Sequence, residues 1–211
     1  MTHPAQYSQE VLDVIASMIA PRDYVHDPFA GTGLRLGALC DRIGARYTGA
    51  DIEIWEGHDP RVAYGNARDP LSYPNSSHYT VVTSPVYVNK RLADYPNGPT
   101  PNTKTKGRRD YALSLGRPLH ADNFARTTGR PSRAPAYWDL HAECAKLWPR
   151  RVIVNVDEPI GIRWCALLQD VGYRVCDVRP ARTRRYGGLD NADKRASCEV
   201  VIVAARQPET A

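Results

Sequence analysis

The chain has 211 residues, of which 42% are hydrophobic and 24% charged. Those proportions exclude a disordered or fibrous chain and suit one sizeable packed core. The formal charge of +5 is compatible with a polyanionic partner but does not demand one.

Taken in order, apolar residues at Val11, Leu12, Val14, Ile15, Met18 and Ile19 have helical spacing. They predict a helix from Tyr7 to Ala20, stopped by Pro21. Tyr24-Val25-His26 reads as a short strand leading into Asp27-Pro28-Phe29-Ala30-Gly31-Thr32-Gly33. Leu34, Leu36, Leu39, Cys40 and Ile43 predict a helix ending at Gly44. A second strand is expected over 47–52, ending near Asp51, and a weak one between Val62 and Asn66. Tyr79-Thr80-Val81-Val82 is a clear strand pattern and runs into Thr83-Ser84-Pro85-Val86-Tyr87.

Residues 88–135 then break the rhythm with six prolines and four glycines. This segment holds ten Lys and Arg against three acids, a net charge of +7 that leaves −2 for the rest of the chain. A long irregular stretch inside one domain is usually functional or disordered, and its charge is the footprint expected of a phosphate-binding loop. A helix is expected from Tyr137 to Trp148, a strand over 152–156, a helix from Trp164 to Val171, a strand over 174–178, a basic connection over about 180–196, and a last strand from Glu199 to Ala204.

Strands alternating with helices predict an α/β fold with a doubly wound, mostly parallel sheet of seven strands. The last two strands have no helix between them and should pair as an antiparallel hairpin. We expect a single domain over 1–211 with a basic loop insertion at about 88–135. The five cysteines include no CxxC pair and no zinc spacing, so no metal site is expected. Scattered thiols, no signal-peptide pattern and no apolar run long enough to span a bilayer predict a cytoplasmic protein without membrane contact.

In an open α/β sheet, ligands bind beyond the carboxyl ends of the strands. Gly31 and Gly33 allow a tight turn there, although two glycines also suit an ordinary strand–helix connection. An acid closing the second strand, Asp51, is placed to accept hydrogen bonds from ribose hydroxyls. Asp27 puts a carboxylate beside the turn, which suits a cationic amino-acid moiety better than a pyrophosphate.

The order Asp27-Pro28-Phe29-x-Gly31-x-Gly33 and then Ser84-Pro85-x-Tyr87 resembles the S-adenosylmethionine-dependent DNA amino-methyltransferases, which form N4-methylcytosine or N6-methyladenine. The resemblance implies a Rossmann-like methyltransferase sheet with S-adenosylmethionine as cofactor. His3, Asp27, Phe29, Gly31, Gly33 and Asp51 match the family's cofactor-binding positions. Asn66 and Ala67 match a stretch that meets the adenine, with Asn66 where the family carries Asp. Ser84, Pro85 and Tyr87 take the catalytic positions. The serine side chain and the proline carbonyl accept the two protons of the target amine, and the aromatic ring stacks on a flipped base. Val86 departs from the family's second proline.

A serine at position 84 resembles the N4-cytosine enzymes more than the N6-adenine ones. The partner expected is DNA, duplex or single stranded, before RNA. Lys90, Arg91, Lys104, Lys106, Arg108 and Arg109 in the insertion, with Arg182, Arg184 and Arg185 near the C-terminal connection, are the candidate phosphate contacts. An RNA guanine-N2 methyltransferase shares the motif order. A nucleic-acid-binding protein of little or no activity on the same scaffold is the reading from another class.

Overall fold

In the computed structural model, the structure describes residues 7–76, 78–85, 119–123, 135–184 and 196–207. These form a seven-stranded sheet between two pairs of helices. The strands are β1 Tyr24–Asp27, β2 Arg46–Asp51, β3 Val62–Tyr64, β4 Thr80–Thr83, β5 Arg151–Asp157, β6 Tyr173–Arg184 and β7 Ala196–Arg206. Their spatial order is β3-β2-β1-β4-β5-β7-β6. Six run parallel, and β7 is antiparallel to β5 and β6. The expected sheet and its terminal hairpin are both present.

The period-2 rule divides the core. Val81, Val152 and Val154 face one cluster, while Val82 and Ile153 face the other. Helices α1 (Gln9–Ala16) and α2 (Leu34–Ile43) cover the second face. Ser8 caps α1 by accepting from Val11 N at 3.2 Å. Helices α3 (Pro135–Leu147) and α4 (Glu158–Asp170) cover the first face. Trp138, Trp148 and Trp164 fill the gap there, the last two stacked with centroids 6.5 Å apart. Arg206, on the last strand, donates to the Lys146 and Ala145 carbonyls at 2.6 and 3.3 Å. It thereby helps satisfy the free carbonyls at the C-terminal end of α3, where Ala145 also accepts from Trp148 N at 3.2 Å.

Several boundaries differ from the sequence expectation, each for a physical reason. α1 ends at Ala16, where Ser17 folds its hydroxyl back onto the Val14 carbonyl at 2.7 Å. α4 starts six residues before Trp164. Pro159 and Gly161 read as breakers, but proline is tolerated in the first turn of a helix. A Cβ on Gly161 would stand 2.8 Å from Val200 Cγ2, so the glycine lets α4 lie close on the sheet. β6 continues past Val178 to Arg184. Pro180 ends the sequence pattern, yet β6 is an edge strand, where a missing N–H is harmless. Arg182 and Arg184 therefore lie in a strand and not in a connecting loop. No described helix joins β2 to β3. Among the described residues only a 3-10 turn, Pro70–Ser72, stands between β3 and β4.

No described helix is long and apolar enough to cross a membrane.

Candidate active site

The carboxyl edge of the parallel strands gathers the ends of β1, β2 and β4. After Asp27 the chain turns through Gly31 (φ +56) and Gly33 (φ +67) into α2. Both glycines occupy the left-handed region that other residues adopt only with strain. A Cβ on Gly33 would lie 2.4 Å from Val62 Cγ2 and 2.7 Å from the Tyr47 hydroxyl. The second glycine is thus required by the loop's packing on β2 and β3, whatever binds above it. The turn is tied to β2 twice. Ala30 N donates to the Ala50 carbonyl at 3.0 Å, and Gly31 N donates to Asp51 Oδ2 at 2.8 Å.

Asp51 is half-buried. Its other oxygen accepts from Glu53 N at 2.8 Å. Each carboxylate oxygen has two acceptor sites, so capacity remains for a ligand's hydroxyls. Burial raises the Asp51 pKa to about 6, against the two backbone donors. Asp27 is only 1% exposed. Its Oδ1 accepts from Thr83 Oγ1 at 2.7 Å and from Phe29 N at 3.0 Å, and its Oδ2 from the Tyr7 hydroxyl at 3.2 Å. Burial drives its pKa up to about 7, the three hydrogen bonds pull it down, and Asp51 adds a smaller upward push.

The Thr83–Asp27 bond clasps the end of β4 to the end of β1. Ser84, the next residue, is half-buried at this edge, and Pro85 is buried. The structure so brings Asp27, Gly31, Gly33, Asp51 and Ser84 to one rim. Phe29 packs on His141 of α3, with ring centroids 5.5 Å apart. Asn66 accepts from Arg68 N at 3.1 Å, a tight local turn, and the Ala67 carbonyl accepts from the Tyr73 hydroxyl at 2.6 Å. His3, Tyr87, Lys90, Arg91, Lys104, Lys106, Arg108, Arg109 and Arg185 lie outside the described residues, as does Val86.

Arg182 is exposed. The register pairs Asp157, the end of β5, with Glu199, and Glu199 with Ala181. Arg182, Thr183 and Arg184 pair onward with Cys198, Ser197 and Ala196. The hairpin thus projects three residues past β5, about 10 Å at the usual rise per residue. It does so at the same edge as Ser84, because β6 runs parallel to β4.

Sequence reasoning missed three contributors. Thr83 opens the motif before the serine but carries no role of its own there. Tyr7 and Glu53 carry no local signature. Glu53 is 1% exposed, and its Oε1 accepts from His120 N at 2.5 Å and Asn123 Nδ2 at 3.1 Å. With the Arg68–Asp122 ion pair at 3.4 Å, Glu53 holds Leu119–Asn123, a piece of the insertion, beside the β2 and β3 ends. Only the fold shows that this piece returns to the Asp51 side.

The raised Asp27 pKa has a testable sign. Between about pH 4 and pH 7 the native state keeps a proton that the unfolded chain has released. Its stabilising contribution is complete below the unfolded value and lost as pH rises through 7. An asparagine at this position would accept from Thr83 without carrying a charge. Asp27→Asn should therefore gain on the order of 2 kcal/mol relative to the native chain between pH 5 and pH 8, read from urea unfolding at both pH values. Equal pH dependence in the two proteins would remove Asp27 as a titrating core group.

No protein-family model matches the chain, and no curated protein matches it. Solved structures do. Magnesium protoporphyrin IX methyltransferase from Synechocystis, with bound SAM, has a TM-score of 0.52 at 14% identity, over 97% of this chain and 87% of that one. The putative methyltransferase complexed with the Trm112 activator of Haloferax volcanii has a TM-score of 0.55 at 11% identity, over 96% and 91%. A putative RNA methyltransferase from Pyrococcus horikoshii has a TM-score of 0.53 at 11% identity, over 94% and 82%. At such identities the shared property is the architecture, a seven-stranded Rossmann-like methyltransferase fold.

Proposed function

We propose that this chain is an S-adenosylmethionine-dependent methyltransferase acting on an exocyclic amino group of a DNA base, cytosine N4 in preference to adenine N6. The observation that carries the reading is the clasp of Thr83 on Asp27 at 2.7 Å. It sets the Ser84-Pro85 step next to Asp27, the residue from which the chain enters the glycine turn.

The site's chemistry fits the cofactor. Two neighbouring carboxylates, Asp27 and Asp51, are both driven toward protonation by burial. A cationic ligand placed beside them would relieve that cost. Asp51 has acceptor capacity for ribose hydroxyls, and the turn at Gly31 lies against it. Asn66 and Ala67 follow β3 on the same edge. S-adenosylmethionine, when bound, supplies an electrophilic methyl group. The chain's own residues orient the acceptor. Ser84 Oγ accepts one proton of the target amine, and the Pro85 carbonyl accepts the other. Holding both protons in fixed hydrogen bonds leaves the nitrogen lone pair less delocalised and aimed at the methyl group. The amine proton leaves to solvent after transfer.

Support for a nucleic-acid partner comes from charge. The +7 insertion follows the Ser-Pro-Val-Tyr segment directly, and the Arg182–Arg184 arm projects at the same edge. Polyanion binding by such groups is steeply salt dependent.

The test is nucleoside mass spectrometry on DNA and RNA from cells expressing the protein, against an empty vector. New N4-methyldeoxycytidine is the expected result. N6-methyldeoxyadenosine would keep the mechanism and change the base. N2-methylguanosine in RNA would replace DNA as the partner. Absence of any new methylated base would favour a binding protein on this scaffold.

A further inference from the structure

We infer that Asn155 is a hydrogen-bond acceptor for the target amino group, standing beside Ser84 on the rim of the site. The inference rests on the methyltransferase reading above and names a residue that recognises the substrate.

Asn155 interrupts the apolar interior of β5, between its end residues Arg151 and Asp157. Its neighbours Val152, Ile153, Val154 and Val156 are all buried, as it is itself, at 3% exposure. Its side-chain oxygen is buried with no hydrogen-bond partner among the described residues. A carboxamide oxygen left so costs about 1–3 kcal/mol, and a valine or leucine in its place would cost nothing. Native chains leave few such groups; His26 Nε2 and the Tyr47 hydroxyl share that state among the described residues, and it is the place of Asn155 at the carboxyl end of β5 that sets it apart.

Register locates the orphan. Thr83 pairs with Val154 in the last rung of the parallel β4–β5 ladder, so Ser84 and Asn155 each directly follow that rung. Asn155 lies on the face of the sheet under α1 and α2, two positions after Ile153 in β5. Val201, paired with Asn155 from β7, belongs to the cluster on that face. Asp51 leaves the sheet on the same face, two and four residues after Gly49 and Tyr47.

The strand order then separates the two ends of the site. Asp51 on β2 and Asn155 on β5 are three strands apart, about 14 Å at the usual strand spacing. Asn155 therefore serves the acceptor end, not the ribose end. An oxygen there is complementary to an N–H donor. Beside Ser84 and the Pro85 carbonyl, Asn155 adds a third neutral acceptor, able to share one of the two protons of the NH2 group. A carboxamide can also donate to a ring nitrogen next to that amine, a pairing open to both cytosine and adenine.

The experiment compares the native chain with Asn155→Leu, which keeps the shape and removes the acceptor. Asn155→Val is the second variant, should leucine overpack the strand. Three quantities are measured on each: methyl transfer to DNA, S-adenosylhomocysteine affinity by calorimetry, and melting temperature. The inference expects at least a 30-fold loss of kcat/KM, S-adenosylhomocysteine affinity within twofold, and a melting temperature raised by about 3 °C as the orphan group is removed. Activity within threefold of the native chain in both variants would overturn it. So would a lowered melting temperature with lost S-adenosylhomocysteine affinity, which would mark Asn155 as structural. If the native chain itself transfers no methyl group to DNA or RNA, the underlying reading fails and the inference falls with it. That outcome differs from an active native chain with active variants.

Discussion

Ser84→Ala is expected to lower methyl transfer by about 10²–10³-fold, the usual cost of removing one preorganised hydrogen-bonding group from a polar transition state. Cofactor affinity should hardly change. Ser84 follows the clasp between Thr83 and Asp27 rather than forming it, so the variant keeps the bond that ties β4 to β1. Fold should be retained, because Ser84 is half-buried and follows the last residue of the strand. The measurement is single-turnover transfer to DNA with S-adenosylhomocysteine binding as the control. Equal loss of binding and transfer would move Ser84 from the catalytic rim to the cofactor pocket. Unchanged transfer would remove the Ser84-Pro85 step from the mechanism.

Gly33→Ala is expected to destabilise the fold by about 3–4 kcal/mol, from two independent costs. A left-handed backbone at φ +67 costs a residue with a Cβ roughly 1–2 kcal/mol. The new methyl would also meet Val62 Cγ2 at 2.4 Å and the Tyr47 hydroxyl at 2.7 Å. Neither neighbour can retreat freely. Tyr47 is 3% exposed and Val62 4%, on adjacent strands of the sheet, and overpacking of such a site costs about 1–3 kcal/mol. For a chain of this size the sum corresponds to roughly 10 °C in melting temperature. Thermal unfolding of the variant without any ligand checks it. If stability were unchanged and only cofactor affinity fell, the glycine would serve ligand approach rather than loop packing.

The two predictions divide a motif that reads as one unit in sequence. Gly31 and Gly33 are both legible as a turn. Gly31 stands against Asp51, the proposed ribose acceptor, through its N–H. Gly33 faces inward to Tyr47 and Val62. No local pattern distinguishes them, since the neighbours that decide the matter are 14 and 29 positions away. Asp27 is a similar case. Its sequence position beside the glycine turn suggests a charge offered to a ligand. In the fold it is sunk among Thr83, Phe29 and Tyr7, where it organises the rim and acts on a ligand through its field.

Sequence alone determined the alternation of strands and helices, the terminal hairpin, and the place of Asp27, Gly31, Gly33, Asp51 and Ser84 at strand ends. These follow from local periodicity, from turn residues and from the short range over which strands begin and end. It did not reveal where α4 begins, because Pro159 and Gly161 break a pattern that helix geometry and Val200 accommodate. It did not extend β6 through Pro180, because only edge position makes that residue harmless.

The tertiary structure decided which polar side chains meet. Thr83 reaches Asp27 across 56 positions and Glu53 reaches Asn123 across 70. The Asn155 side-chain oxygen stays without a partner among the described residues. Burial sets the cost of each of these groups, and burial is a property of the folded assembly of strands and not of any stretch of sequence.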